Sequence, residues 1–256
     1  MELAPGTRVL VTGASKGIGA IVARAFAEHG CTLGLVARVA PDAAALPGQG
    51  HEAFAADVAD RAAIAAVVES FGPDVVVANA GVAHYSSFPE LDLDKAERMT
   101  HINWLGTLYT VAPALARMTA QRRGHVVVVS SGAGIRAFPG ASVYGATKAA
   151  QRGFAEALRH ELDGTGVSVT VVYPGQLATA LHDHEKGSLP AWYTGAKSAP
   201  PEPIGGLVVR AVERDRPEVF YPSNVRSLRV FHGLSPRIAD ALLRRIRGRS
   251  AAPRRG

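Results

Sequence analysis

Disulfide chemistry is excluded at the outset. The 256-residue chain has one cysteine, Cys31, so neither an intrachain bridge nor a cysteine zinc cluster can form. Cys31 sits at the turn into an apolar segment and reads as a small core residue rather than a nucleophile. Aromatic residues are scarce, at 6%, and no aromatic RNA-binding motif, zinc finger or basic zipper is present, which argues against a nucleic-acid partner. No apolar run approaches the length needed to cross a bilayer. The N-terminal segment lacks a basic start followed by an apolar stretch. A soluble, cytoplasmic protein is therefore expected. Acidic residues are nearly missing from one region: after Val225 there are nine arginines against Asp240. Taking those nine cations and one acid out of the net charge of +6 leaves the body at −2. The basic character belongs to the C-terminus.

What is abundant is apolar sequence, 47% of the chain, arranged in short runs that alternate with helical periodicities. Strands are expected at Arg8–Val11, Thr32–Ala37, Glu52–Ala55, Asp74–Ala78, Val126–Val129, Val167–Val172 and Glu218–Tyr221. Between them, helices are expected at Gly17–His29, Asp60–Phe71, Asp94–Arg122, Val143–Leu162 and Ile204–Arg214. Most strands are continuously apolar, the mark of parallel strands covered on both faces. The pattern predicts an α/β fold, a doubly wound parallel sheet of the Rossmann kind in one domain, residues 1–222. Gln176–Pro203 has no clean periodicity and reads as a substrate lid. Residues 223–256 read as a basic helical extension, broken by Gly233 and Pro236.

Three signals carry chemistry. Thr12-Gly13-Ala14-Ser15-Lys16-Gly17-Ile18-Gly19 lies between the first strand and the first helix. Glycines there allow a sharp turn and close approach of backbone to a pyrophosphate at the helix N-terminus. The spacing is G-x-x-x-G-x-G rather than G-x-G-x-x-G. After the second strand stands Arg38, where an acid would bind a ribose hydroxyl; with Lys16 nearby this favours a 2′-phosphate, hence NADP(H). Tyr144 and Lys148 are four apart on a helix and share a face. A cation there favours tyrosinate and lowers a phenol pKa from about 10.

These motifs, with Asp57-Val58, Asn79-Ala80-Gly81, Asn103, Ser131 and Pro174-Gly175 with Thr179, make the chain resemble the short-chain dehydrogenase/reductase family over nearly its whole length. Ser131 precedes Tyr144 by 13 residues, as in that family. The resemblance implies that Tyr144 exchanges the proton with the substrate oxygen. Ser131 would bond that oxygen, and Lys148 would bind the nicotinamide ribose and tune Tyr144. Asn103 would hold a water that passes protons to Lys148. Gly13, Ser15, Lys16, Gly17, Ile18, Gly19 and Arg38 would hold phosphates, Asp57 and Val58 the adenine, Asn79–Gly81 the backbone path. Pro174, Gly175 and Thr179 would face the nicotinamide. Ser130 competes with Ser131 as the hydroxyl, and spacing decides for Ser131. Gln176 departs from the apolar residue common in the family.

The expected activity is NADP(H)-dependent interconversion of a carbonyl and an alcohol. The pocket is placed by His84, Tyr85, Gly132–Phe138 and the lid, whose Leu177, Leu181, Leu189, Trp192 and Tyr193 favour an apolar or aromatic substrate. His182 and His184 show no metal-ligand spacing, and no metal is expected. Reduction of a carrier-bound or fatty-chain ketone is a second enzymatic reading, and a non-catalytic NADP(H)-binding regulator is the alternative outside catalysis. A homo-oligomer, dimer or tetramer, is implied by resemblance through the two long helices. The apolar residues among the C-terminal arginines predict a helix packed on the body or on another subunit; contact with an anionic membrane surface is the less favoured reading.

Overall fold

In the computed structural model, residues 1–179 and 198–234 are described. Seven strands form one sheet in the order β3-β2-β1-β4-β5-β6-β7, and every neighbouring pair is parallel. They are β1 (Arg8–Thr12), β2 (Thr32–Ala37), β3 (Glu52–Ala55), β4 (Val75–Ala78), β5 (Gly124–Val129), β6 (Val167–Pro174) and β7 (Glu218–Tyr221). The helices are α1 (Gly17–Glu28), α2 (Arg61–Phe71), α3 (Leu93–Met99), α4 (Gly106–Gln121), α5 (Gly132–Ile135), α6 (Ser142–Glu161), α7 (Pro203–Glu213) and α8 (Val225–Leu234). The doubly wound Rossmann architecture expected from the sequence is what forms.

Alternation along the central strands builds two cores. Leu10, Val76, Val126, Val128, Val169 and Val171 face one layer with residues of α2, α4 and α6. Val9, Val11, Val75, Val77, Val127, Val129 and Val172 face the other with α1 and α7. Each fully buried valine contributes on the order of 2 kcal/mol of transfer free energy. Asp60 caps α2 by accepting from the amides of Ala62 and Ala63, both at 3.0 Å, and Gly72 ends it in a left-handed conformation. Gly34 leaves room for a ring: a Cβ there would lie 3.0 Å from Phe71.

The chain runs outward from β1 through β2 to β3, then returns to place β4 on the other side of β1. At that reversal the loops after β1 and β4 diverge and leave a crevice at the carboxyl ends of the strands, where ligands bind in open α/β sheets.

Two expectations are refined. The stretch read as one helix, Asp94–Arg122, is α3 and α4 joined by a turn of π-helix at Thr100–Leu105, and Asn103 lies in that turn. Such wide turns recur at functional sites. Gly132–Ile135, read as a pocket segment, is a short helix capped by Ser131. Cys31 is buried, and burial raises its pKa to about 11, so it is the inert core thiol expected. The lid is described only at Gln176–Thr179 and from Ser198; Leu181, His182, His184, Leu189, Trp192 and Tyr193 lie outside the described residues, as do residues 235–256. Among the described residues no helix is long and apolar enough to cross a membrane.

Candidate active site

The crevice is a cavity of about 430 Å³, within the usual range for small-molecule sites. It collects nearly every residue singled out by sequence. Gly13, Ser15, Lys16, Gly17, Ile18, Arg38, Asp57, Val58, Asn79, Ala80, Gly81, Ser131, Tyr144, Lys148, Pro174, Gly175 and Thr179 all line it. Gly19 and Asn103 stand behind the wall. A Cβ on Gly19 would run into the Gly13 carbonyl and the Asn79 amide. Asn103 is fully buried.

One end of the cavity is the glycine turn. Gly13 and Gly17 have φ of 67° and 60°, left-handed values that other residues adopt at a cost. A Cβ on Gly13 would lie 2.9 Å from Ala80 Cα. Thr12 and Asn79 clamp this turn to β4. The Asn79 side chain donates to the Thr12 carbonyl at 2.9 Å, and the Thr12 hydroxyl accepts from the Asn79 and Ala80 amides at 3.1 and 3.2 Å. The first turn of α1 has no side-chain cap and no acid, so its amides and the positive end of its dipole face the cavity. Lys16 and Arg38 are exposed at the rim and make no ion pair among the described residues. Donors, a helix dipole and two exposed cations suit a polyanion. Thr179 faces the turn from the far side, 3.7 Å from the Cβ position of Gly17.

The other end is built from β5, α5 and α6. Tyr144 is 5% exposed and Lys148 is 4% exposed. Tyr144 is gripped by Tyr85, whose ring meets it edge-on at 5.7 Å and stacks on Phe138 at 5.9 Å. Its phenol shares a hydrogen bond with Ser131. Ser130, the competing hydroxyl, is turned inward and donates to the Lys148 carbonyl at 2.7 Å. The Lys148 ammonium donates to the Val129 carbonyl at 3.0 Å and to Gln151 Oε1 at 2.9 Å.

Burial dominates the titration here. It pushes the Tyr144 pKa up to about 12, the Ser131 hydrogen bond opposing it, and drives Lys148 down to about 7. The expectation that the lysine lowers the tyrosine pKa does not hold in the free protein. The ammonium lies 5.9 Å from the Tyr144 ring centroid and is turned toward two carbonyl oxygens, and desolvation penalises both charged forms.

Asn103 is held by protein groups on both sides. Its side chain ties the loop after β4 to α6, accepting from the Val82 amide at 2.8 Å and donating to the Val82 carbonyl at 2.9 Å and Thr147 Oγ1 at 3.1 Å. Its carbonyl oxygen accepts from Gln151 Nε2 at 2.8 Å and Thr107 Oγ1 at 2.7 Å. Those two bonds engage the backbone carbonyl with donors from α6 and α4, while Oδ1 accepts from the Val82 amide alone among the bonds described.

Gln151 is not singled out by sequence, and Leu228 reads there only as an apolar residue of the C-terminal helix. Leu228, on α8, reaches the cavity wall. Arg229 holds α8 to the body through Glu156 at 3.3 Å and through Glu218, in line with a packed C-terminal helix. Among the described residues no group of three or more histidine, cysteine, aspartate or glutamate side chains is placed to hold a metal ion.

The sequence profile of the short chain dehydrogenase family matches residues 7–188, and the chain belongs to that family. Its class is therefore that of an oxidoreductase. Glycine betaine reductase ATRR of Emericella nidulans is 35% identical over 224 residues, 82% of this chain. The chain spans only 18% of that protein. Ketoacyl reductase HetN of Nostoc sp. is 31% identical over 236 residues, 88% of this chain and 81% of HetN. A closed form of serine dehydrogenase complexed with NADP+ superposes with a TM-score of 0.75 at 28% identity, over 83% of this chain and 93% of that one. Complexes with NAD also occur among solved relatives of this fold.

Proposed function

We propose that the protein is an NADP(H)-dependent carbonyl reductase, or the reverse alcohol dehydrogenase, acting on an apolar or aromatic substrate. The observation that carries this reading is one cavity with a polyanion cradle at one end and, at the other, Ser131 beside a buried Tyr144 and Lys148. The preference for NADP(H) is supported by Arg38 and Lys16 at the rim, with Arg38 rather than an acid directly after β2. NADPH supplies the hydride when bound.

The residues do the rest. A pKa near 12 keeps Tyr144 protonated, the state required of a general acid. Its proton goes to the carbonyl oxygen of the substrate, which becomes the alcohol oxygen. Ser131 donates to the same oxygen and fixes its position as negative charge develops. The Lys148 ammonium steadies the phenolate left behind and offers its remaining N–H to a sugar hydroxyl. Asp57 and Val58 suit the adenine end, and Pro174, Gly175 and Thr179 the nicotinamide end. Tyr85, Phe138, Leu177 and Leu228 give the substrate side of the cavity its apolar wall. Family members commonly associate, and the long helices α4 and α6 are the surfaces proposed for a homo-oligomer.

The test is NADPH oxidation, followed by absorbance, across ketones from small aliphatic to steroid-sized and quinone, with NADH in parallel. Turnover favouring NADPH is expected. Tight NADPH binding without turnover on any member of the panel would favour a regulator that binds the nucleotide without chemistry.

A further inference from the structure

Gln151 lies one turn beyond Lys148 on α6. It is a polar side chain with 0% exposure, in a helix whose other inward residues here include Ala155 and Leu158. A buried amide is costly unless every polar atom is bonded, and this one is. Nε2 donates to the Asn103 carbonyl at 2.8 Å and to Thr107 Oγ1 at 2.7 Å, and Oε1 accepts from Lys148 Nζ at 2.9 Å.

The orientation of the amide is fixed by its neighbours. The Thr107 hydroxyl has one proton, and it goes to the Asn103 carbonyl at 2.7 Å. Its oxygen is then an acceptor, as is that carbonyl. Two acceptors meet the NH2 end, and a donor that never accepts while charged meets the oxygen end. A flipped amide would set NH2 against the ammonium and oxygen against oxygen. The π turn presents the Asn103 carbonyl and Thr107 follows it on α4, so α4 and α6 are locked through one side chain.

We infer that Gln151 is a positioning residue of the catalytic site: its carbonyl dipole holds the Lys148 ammonium charged and aimed at the cavity. The inference rests on the proposed oxidoreductase reading of the site. An amide does not relay protons readily, so the connection from Asn103 to Lys148 is electrostatic rather than a proton wire. Val129 and Gln151 take two of the three ammonium donors, and the third is left toward Gly81, whose Cβ position lies 3.5 Å from Nζ. A side chain there would crowd that path.

The charge on Lys148 depends on few groups. From its own helix Tyr144 faces it; from β5 the Val129 carbonyl; from α6 and the π turn the Gln151 amide backed by Asn103 and Thr107; from the loop after β4 the backbone at Gly81. Desolvation is the cause of its depressed pKa, and no carboxylate or second cation contributes. A single neutral acceptor therefore carries unusual weight.

The test is NADPH binding by fluorescence from about pH 6 to 10 on the full chain, in wild type, Gln151→Leu, Thr107→Val and Lys148→Met. Losing one hydrogen bond to a charged group predicts that the alkaline loss of affinity in Gln151→Leu moves down by about one pH unit. At pH near 8 NADPH then binds about tenfold more weakly. Thr107→Val, a near-isosteric change, shifts the limb in the same direction by less, and it carries the test if Gln151→Leu does not fold. A limb that stays where it is in both variants, or affinity that falls equally at every pH, overturns the inference and leaves Gln151 a packing residue. Lys148→Met separates the two readings. It should abolish the alkaline limb and turnover together; if it leaves both intact, the proposed site itself is wrong, whatever Gln151 does.

Discussion

The two ends of the cavity hold their partners by opposite means. The glycine turn after β1 works through backbone and exposure: two left-handed glycines, uncapped amides, and exposed cations at the rim. The corner at β5 and α6 works through burial. Its tyrosine and lysine are almost sealed from water, their pKa values are pushed in opposite directions, and two of the three lysine N–H groups are taken by the Val129 carbonyl and Gln151. Binding a flexible polyanion calls for shape and charge that adapt, whereas moving one proton calls for groups that cannot move. Substitutions at the first end should change affinity and cofactor choice. Those at the second should change turnover, and at Lys148 and Gln151 the pH dependence of cofactor affinity as well.

Ser131→Ala probes the hydroxyl at the proton-transfer end. Removing a donor aimed at the substrate oxygen should cut kcat by about a hundredfold, with NADPH affinity nearly unchanged; an equal loss in both would erase the distinction between the two ends. Gly13→Ala strikes the open end through the backbone. A Cβ 2.9 Å from Ala80 Cα at φ 67° should cost about 2–3 kcal/mol of stability, read by denaturant unfolding, and weaken NADPH binding in parallel.

Burial alone, away from the cavity, is isolated by His125 on β5. It is fully buried. The Thr170 hydroxyl gives its proton to the Arg216 carbonyl at 2.7 Å, so His125 Nε2 is the donor to Thr170 at 2.7 Å, and Nδ1 is unpartnered. Desolvation lowers its pKa to about 4, below the ordinary value, so folding favours the neutral ring. Its contribution is present in full above about pH 6.5 and is lost as pH falls toward 4. Between pH 8 and 5 the wild type should lose about 2 kcal/mol more than His125→Gln, measured by urea unfolding. Equal losses would mean that burial is not setting this pKa. The smallest effect is expected at the rim: Arg38→Asp should move the ratio of kcat/KM for NADPH over NADH toward NADH by about tenfold, and an unchanged ratio would take Arg38 out of cofactor choice.

The same contrast explains what the sequence made legible. The strands and most helix ends could be read because covered parallel strands are continuously apolar and helix starts carry local caps such as Asp60. The glycine turn could be read because its requirement is local: positive φ and a following helix leave their mark within eight residues. Tyr144 and Lys148 were visible through helical spacing. The π turn was not, since a widened turn has no distinct periodicity and is set by what packs around Asn103. Gln151 was invisible for a related reason. Its partners, Asn103, Thr107 and Lys148, meet only when α4 lies against α6, and a glutamine on a helix otherwise reads as a solvent-facing residue. The tyrosine pKa was misjudged because spacing reports proximity to a cation and says nothing of desolvation.

The central claim, that the polyanion cradle and the proton-transferring tyrosine occupy separate ends of one cavity, is tested most directly by Tyr144→Phe, with NADPH affinity and ketone turnover measured on the same preparation. The account predicts affinity within about threefold of wild type and kcat lower by about a thousandfold. Near wild-type turnover, or a loss of affinity that matches the loss of rate, would contradict it.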